Sequence, residues 1–143
     1  MNVTSKGRYA LRVMIDLAQH STDGFVSLKT VADRQGISMK YLEMIVGSLK
    51  KANLLDSTRG KEGGYMLLKN PSEYSVGEIL RSTEENLAPV SCIREGNIRC
   101  DHAEECMTVP MWKELDEITN TYLNGITLQD LISGDKWKQD EVS

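Results

Sequence analysis

The stretch SLKTVADRQGISMKYLEMIVGSLKKA, residues 27–52, decides the fold. Ser27 is a residue type that caps helix N-termini, and behind it Leu28, Val31 and Ala32 fall on one side of a short helix, Leu28 to Gln35. Gly36 ends that helix, because a residue tolerant of left-handed geometry closes one at little cost. Ser38 caps a second helix running to about Ala52, in which Leu42, Ile45, Val46 and Leu49 recur at three- and four-residue spacing and face the core. Its other side shows Lys40, Tyr41, Glu43, Met44, Gly47, Lys50 and Lys51. Two helices joined by a tight turn, the second with a polar and basic outer face, form a helix-turn-helix arrangement.

Downstream, in NLLDSTRGKEGGYMLL (residues 53–68), the period changes. Leu54 to Arg59 and Tyr65 to Leu68 read as short strands around Gly60-Lys61-Glu62-Gly63-Gly64, whose three glycines supply the positive φ angles of a hairpin. Strands placed here make a wing, with Arg59 and Lys61 at its tip, where they can follow a phosphate backbone or enter a minor groove. The glycines join two strands and do not precede a helix, so they are not a phosphate-binding loop. Upstream, Ser5 to Gln19 carries Tyr9, Ala10, Leu11, Val13, Met14, Ile15, Leu17 and Ala18, enough apolar residues to cover more than one face of a largely buried helix. The expected fold is therefore mainly α with a small β-hairpin wing: a winged helix-turn-helix domain over residues 1–83.

Beyond Pro71, Ser75 caps a helix to about Thr83, with Val76, Ile79 and Leu80 inward. Residues 84–108 have no sustained period and read as a long loop. Pro110 suits the first turn of a last long helix. In it Met111, Trp112, Leu115, Ile118, Thr119, Tyr122, Leu123 and Ile126 form a stripe. Such a stripe is a seam for a second copy, giving a homodimer through residues 109–126, or else it packs on the chain's own core. Residues 127–132 form a short terminal helix that completes a unit at 109–133, and residues 134–143 read as a disordered tail.

The charge balance is lopsided along this layout. The whole chain carries −4, yet residues 1–70 hold eleven Lys and Arg against six Asp and Glu, a balance of +5, leaving six against fifteen, or −9, for the rest. A basic front half and an acidic rear suit a chain of which one part meets a polyanion, although uneven solvation gives the same sum. The 143 residues, 40 % hydrophobic and 27 % charged, are ordinary for a globular chain that builds its core without staples. No apolar run approaches the roughly 18–20 residues of a membrane helix, so no membrane role is expected. MNVTSKGR at the start has no apolar stretch after its basic residues, so it does not read as a secretory leader and a cytoplasmic location is expected.

At the level of motifs the chain resembles the IscR/NsrR/CymR family of regulators. The likeness rests on Thr4-Ser5-Lys6-Gly7-Arg8-Tyr9-Ala10-Leu11, Gly36-Ile37-Ser38, Tyr41-Leu42-Glu43, Arg59-Gly60, Gly63-Gly64-Tyr65, Val76-Gly77-Glu78-Ile79 and Ile126-Thr127-Leu128. It covers nearly the whole chain. It implies a homodimeric transcription regulator, a repressor or activator, that places one helix per subunit in a major groove of promoter DNA and one wing in a minor groove. Carried over by position, Lys40, Tyr41, Glu43 and Met44 read bases, and Arg59 enters the minor groove with Ser57 beside it. The chemistry agrees: Lys bonds guanine acceptors, Glu accepts from cytosine N4, and Arg is drawn to narrow minor grooves. Lys6, Arg8, Lys50 and Lys61 are phosphate contacts, which give affinity and salt dependence. For Lys50 and Lys61 plain solvation is the alternative, and for Tyr41 a partly buried ring.

Cys92, Cys100 and Cys106 follow a C-x7-C-x5-C spacing within the polar loop. An odd number of cysteines cannot all pair within one chain, and soft thiolates clustered in a polar segment suit an iron–sulfur cluster or zinc more than a core or a disulfide frame. The close C-x2-C pairs of zinc ribbons are absent. The resemblance implies an iron–sulfur cluster at these three cysteines, 2Fe–2S ahead of 4Fe–4S. Two family positions for a fourth ligand hold other residues here: Val109 stands where one branch has His, and Arg8 where another has an Asp from the partner's first helix. His102 is the substitute at hand, with Asp101, Glu104 and Glu105 as others. Iron–sulfur status, redox state or nitric oxide is then the signal. A CymR-like regulator of cysteine metabolism, acting without a cluster through a protein partner, is the alternative. A thiol redox protein would need a C-x-x-C pair or an activated Cys, and no such pair exists. Neither His20 nor His102 sits in a hydrolase motif, so no enzyme is expected.

Overall fold

The computed structural model describes residues 3–21, 24–60, 63–84, 87–88, 93–94, 97–98 and 107–141. Helices α1 (Ser5–His20), α2 (Leu28–Gln35) and α3 (Met39–Lys51) are followed by strands β1 (Leu55–Thr58) and β2 (Gly64–Leu67). A 3-10 turn at Pro71–Glu73 leads to α4 (Val76–Thr83). Beyond a two-residue pair, β3 (Ile93–Arg94) and β4 (Asn97–Ile98), come α5 (Val109–Gly125), α6 (Leu128–Ser133) and a 3-10 run at Asp135–Glu141. This is the expected mainly helical winged helix, each predicted helix of the head lying within a residue or two of its expected ends.

Local chemistry sets the helix ends. The Ser27 and Ser38 hydroxyls accept from the backbone N–H of Thr30 and Tyr41, both at 3.2 Å, and Gly36 closes α2 at φ 64. At the start of α1 the Thr4 hydroxyl accepts from Gly7 N–H at 3.4 Å. The Glu84 carboxylate, just past α4, in turn accepts from Thr4 N–H at 3.0 Å and from its hydroxyl at 2.6 Å. A Cβ on Gly7 would lie 2.2 Å from that carboxylate, so a side chain there would have to push the Glu84 head aside.

The core gathers Ala10, Val13, Met14 and Leu17 of α1 with Val31, Leu42, Ile45, Val46, Leu49, Leu55, Tyr74 and Ile79. Asp16 is buried among them, a charge that the apolar pattern of α1 does not suggest. Tyr74 ties the wing to the helices: its hydroxyl donates to the Leu54 carbonyl at 2.7 Å and accepts from the N–H of Leu68 at 2.9 Å and of Lys69 at 3.3 Å.

Three features depart from the expected layout. Leu128 of α6 is wholly buried in the head's own core, and the Leu128 N–H donates to the Tyr74 carbonyl at 3.1 Å. The chain after α5 thus returns to the head. Among the described residues of the segment read as a loop, β3 and β4 pair antiparallel, Ile93 opposite Ile98. Of the tail expected to be disordered, residues 135–141 form the 3-10 run. Trp137 anchors it against a second cluster of Val76, Leu80, Leu87 and Ile126, and burial of one large ring outweighs the polar residues around it.

The eight-residue stripe of α5 divides. Trp112 and Leu123 are half-buried, and Thr119 and Ile126 buried, on the side facing the head. Met111, Leu115, Ile118 and Tyr122 face outward at spacings of four, three and four, each 38–57 % exposed.

Candidate nucleic-acid interface

The turn between α2 and α3 fixes how α3 is presented. Leu42, Ile45, Val46 and Leu49 are buried, so Lys40, Glu43, Met44 and Gly47 are left on the open side, with Met44 56 % exposed. That row mixes a cation, an anion and a thioether, the donor, acceptor and apolar contacts with which base edges are told apart. Tyr41 stands at its flank, half-buried, and its ring meets the edge of Tyr9 on α1 with centroids 5.9 Å apart.

The wing follows α3 directly in the chain. β1 and β2 pair in antiparallel register from Leu55 opposite Leu67 to Thr58 opposite Gly64. Arg59 and Gly60 are exposed beyond the last pair, and Gly60 turns the chain at φ 107. Lys61, the other expected tip cation, lies outside the described residues. Val26 adds an unexpected antiparallel bridge to β2: its N–H donates to the Tyr65 carbonyl at 2.9 Å and its carbonyl accepts from Tyr65 N–H at 2.8 Å. The backbones are so close that a Cβ on Gly64 would lie 2.0 Å from the Val26 oxygen.

The remaining basic residues are partly engaged. The Lys50 ammonium donates to the hydroxyl of Ser57, which sits within β1, and so joins the end of α3 to the wing. Lys6 donates to Ser48 on α3 at 2.9 Å, and Arg8 to Ser5 at 3.1 Å. Each cation keeps further N–H groups after that single bond. The clearest ion pair is elsewhere: Asp16 takes two bonds from Arg34, at 2.6 and 3.0 Å, and one from Gln35 at 2.9 Å. Burial by itself would raise the Asp16 pKa. The Arg34 and Gln35 hydrogen bonds and the nearby charges of Arg34 and His20 outweigh it and hold the carboxyl below its ordinary 3.8.

Sequence reading missed this Asp16–Arg34–Gln35 group, together with Arg12, whose guanidinium lies 4.9 Å from the centre of the Tyr9 ring. The one signal available was an acid inside the apolar run of α1.

Cys92, Cys100, Cys106 and His102 lie outside the described residues, as do Asp101, Glu104 and Glu105. Among the described residues no three His, Cys, Asp or Glu are grouped to hold a metal. Three thiols are a donor set suited to iron, but neither family position for a fourth ligand fits: Val109 is a buried apolar residue and Arg8 an exposed cation. No described helix is long and apolar enough to cross a membrane.

Residues 3–134 match the model of a family described as Rrf2, iron-dependent transcriptional regulator. The HTH-type transcriptional regulator IscR of Yersinia enterocolitica is 41 % identical over 133 residues, covering 93 % of this chain and 80 % of that protein. The same regulator of Pectobacterium atrosepticum is 40 % identical over the same shares. Of solved structures, T. potens IscR superposes with a TM-score of 0.73 at 36 % identity, over 94 % of this chain and 88 % of that one. CymR, the global cysteine regulator of B. subtilis, superposes with a TM-score of 0.70 at 33 % identity, over 93 % and 97 %.

Proposed function

The chain belongs to the Rrf2 family and is a transcriptional regulator of the IscR type, not an enzyme; from that premise we propose a homodimer whose grip on promoter DNA is set by an iron–sulfur cluster at Cys92, Cys100 and Cys106. The observation that carries the DNA-binding half is the exposed row Lys40, Glu43 and Met44 on α3 beside the exposed Arg59 of the wing. In this reading Lys40, Tyr41, Glu43 and Met44 read the major groove, while Arg59, with Ser57 behind it, lies in the minor groove. Lys6, Arg8, Lys50 and Lys61 meet phosphates. Glu43 acts by discrimination, since a carboxylate facing DNA is repelled unless a base donor meets it.

The support for a homodimer is on α5. Met111, Leu115, Ile118 and Tyr122 form an outward apolar row on a helix that already has a separate inward face. Covering such a row with its twin removes apolar surface from water at about 25 cal/mol per Å2.

A cluster supplies a redox- and nitric-oxide-sensitive cross-link, with 2Fe–2S favoured over 4Fe–4S and His102 as the candidate fourth ligand. The family's description as iron-dependent supports this. A change in how residues 84–108 are held reaches the head through Glu84, which begins that segment and bonds Thr4 at the start of α1, two residues from Lys6. The change in DNA affinity is bounded by the ligand's differential affinity for the two arrangements. The proposed compartment is the cytoplasm.

Anaerobic purification with an absorption spectrum and iron and sulfide assays tests the cluster, and a mobility shift at two salt concentrations tests DNA binding. Visible charge-transfer absorption that vanishes when the three cysteines become Ala is expected. A colourless protein free of iron and sulfide that still binds promoter DNA would instead favour the cluster-free reading akin to CymR, which acts through a protein partner. The likeness to the CymR structure keeps that second reading open.

A further inference from the structure

One side of α1 carries Ser5, Arg8, Tyr9, Arg12 and Asp16 at spacings of three and four. Arg12 is exposed, yet it is not loose. Its Nε donates to the Gln35 side-chain oxygen at 3.1 Å and its Nη2 to the Gln35 backbone carbonyl at 3.3 Å. Its guanidinium lies over Tyr9, which meets Tyr41 edge-on. Gln35 is fixed in turn by donating to Asp16 at 2.9 Å.

The charges in this group do not cancel. Asp16, the nearest acid along the helix, is 2 % exposed and bound bidentately by Arg34. Among the described residues Arg12 makes no ion pair, so its positive charge faces solvent uncompensated. A guanidinium has five N–H donors, and two are used. Three remain to meet an anion, on a side chain whose rotamers are already restricted, so little ordering remains to be done on binding.

The place is specific. Gln35 is the last residue of α2 before the turn, and Tyr41 lies in the first turn of α3. When a helix of this kind enters a major groove, its N-terminal residues reach base edges and the phosphates of the groove wall pass beside them. We propose that Arg12 is a DNA-backbone contact, held ready by Gln35 and Tyr9 in the free protein and acting beside the base-reading end of α3. This rests on the reading of α3 as the helix that enters DNA.

A phosphate contact and a strut between α1 and α2 differ in their response to salt, because only the contact releases a counterion. The test uses the full-length protein and a labelled duplex of mixed sequence, long enough for two half-sites, with affinity measured by fluorescence anisotropy between about 50 and 200 mM salt. R12Q should lower the slope of log affinity against log salt by about 0.9 for each Arg12 engaged and weaken binding about tenfold at the lowest salt. R12K keeps the charge but loses the fork, so it should bind more weakly with the wild-type slope; circular dichroism and Tm check that both variants fold. An R12Q slope equal to wild type would overturn the proposal, whatever happens to Tm, as would an R12K slope lowered like that of R12Q. If R12Q keeps the wild-type slope while the wild type binds, this inference fails alone; a wild-type protein that binds no duplex removes the reading beneath it as well.

Discussion

Replacing Tyr74 with Phe removes one oxygen from the place where the wing meets the helices, and its effect follows from the bonds that oxygen makes. The side chain is fully buried. Its hydroxyl donates to the carbonyl of Leu54, itself 5 % exposed, and accepts from the Leu68 and Lys69 N–H groups. Burial pushes the phenol above its ordinary pKa of 10.0, the Leu68 and Lys69 N–H groups draw it partway back, and the Glu78 and Glu73 charges add to the rise. The donor is therefore kept well into the alkaline range. In Tyr74→Phe the Leu54 carbonyl stays buried without that donor, while the N–H of exposed Leu68 can turn to water. One unsatisfied buried group costs about 1–3 kcal/mol. At about 2.1 cal/mol/K per residue the unfolding entropy of a chain this size is about 0.3 kcal/mol/K, so Tm should fall by about 3–10 °C. Calorimetry on the variant and wild type at neutral pH measures this, and hydrogen exchange at Leu68 and Lys69 should quicken more than exchange in α1. An unchanged Tm with unchanged exchange at those amides would show that the hydroxyl is not the tie described.

Asp16→Asn should destabilise the fold by about 1.5–3 kcal/mol at pH 7, because the lost bonds are charge-assisted and one partner is buried. With the Asp16 pKa held below its unfolded value, its stabilisation is present above about pH 4 and is lost as pH falls through the folded value, so urea melts of the two proteins should converge in acid. Gly47→Ala should stabilise the free protein by about 0.5–1 kcal/mol, since Gly47 lies inside α3 and a methyl placed on it would meet nothing within 4 Å; a lowered Tm would contradict the open space. Ile118→Lys places a charge in the middle of the outward row of α5 and should shift sedimentation from dimer to monomer without lowering helicity. A wild type that sediments as a monomer would remove α5 as the seam.

The elements of the head were legible because each is announced locally. Ser27, Ser38 and Ser75 cap the helices they were expected to cap, Gly36 closes α2 in the left-handed region, and of the three glycines expected to turn the hairpin Gly60 alone takes a positive φ, Gly64 lying already in β2 where the Val26 backbone comes close. Those features depend on hydrogen bonds and φ angles within a few residues. The exposed row of α3 was legible for a related reason: once Leu42, Ile45, Val46 and Leu49 point inward, helical geometry leaves Lys40, Glu43 and Met44 outside.

Long-range partners were not legible. Nothing near Val26 marks it as a rung beside Tyr65, and nothing near Leu128 marks it as part of a core built mostly from residues before 80. Trp137 lay in a run read by its polar majority, although a single large ring held the tail down. The stripe on α5 shows the limit most clearly. Periodicity marks eight apolar-leaning positions, but a stripe wider than one seam meets two surfaces, and only packing against α4 and the head decides that Thr119 turns in while Ile118 turns out.

The sequence alone determined where helices and turns begin, which side of α3 is polar, and that three thiols share one segment, because short-range hydrogen bonding and helical period act within a turn or two of chain. Tertiary structure decided which charges are cancelled and which stay open. Asp16 and Arg34 are eighteen residues apart and Arg12 and Gln35 twenty-three, so whether a given cation faces solvent unpaired depends on contacts made only when α1 and α2 are packed together.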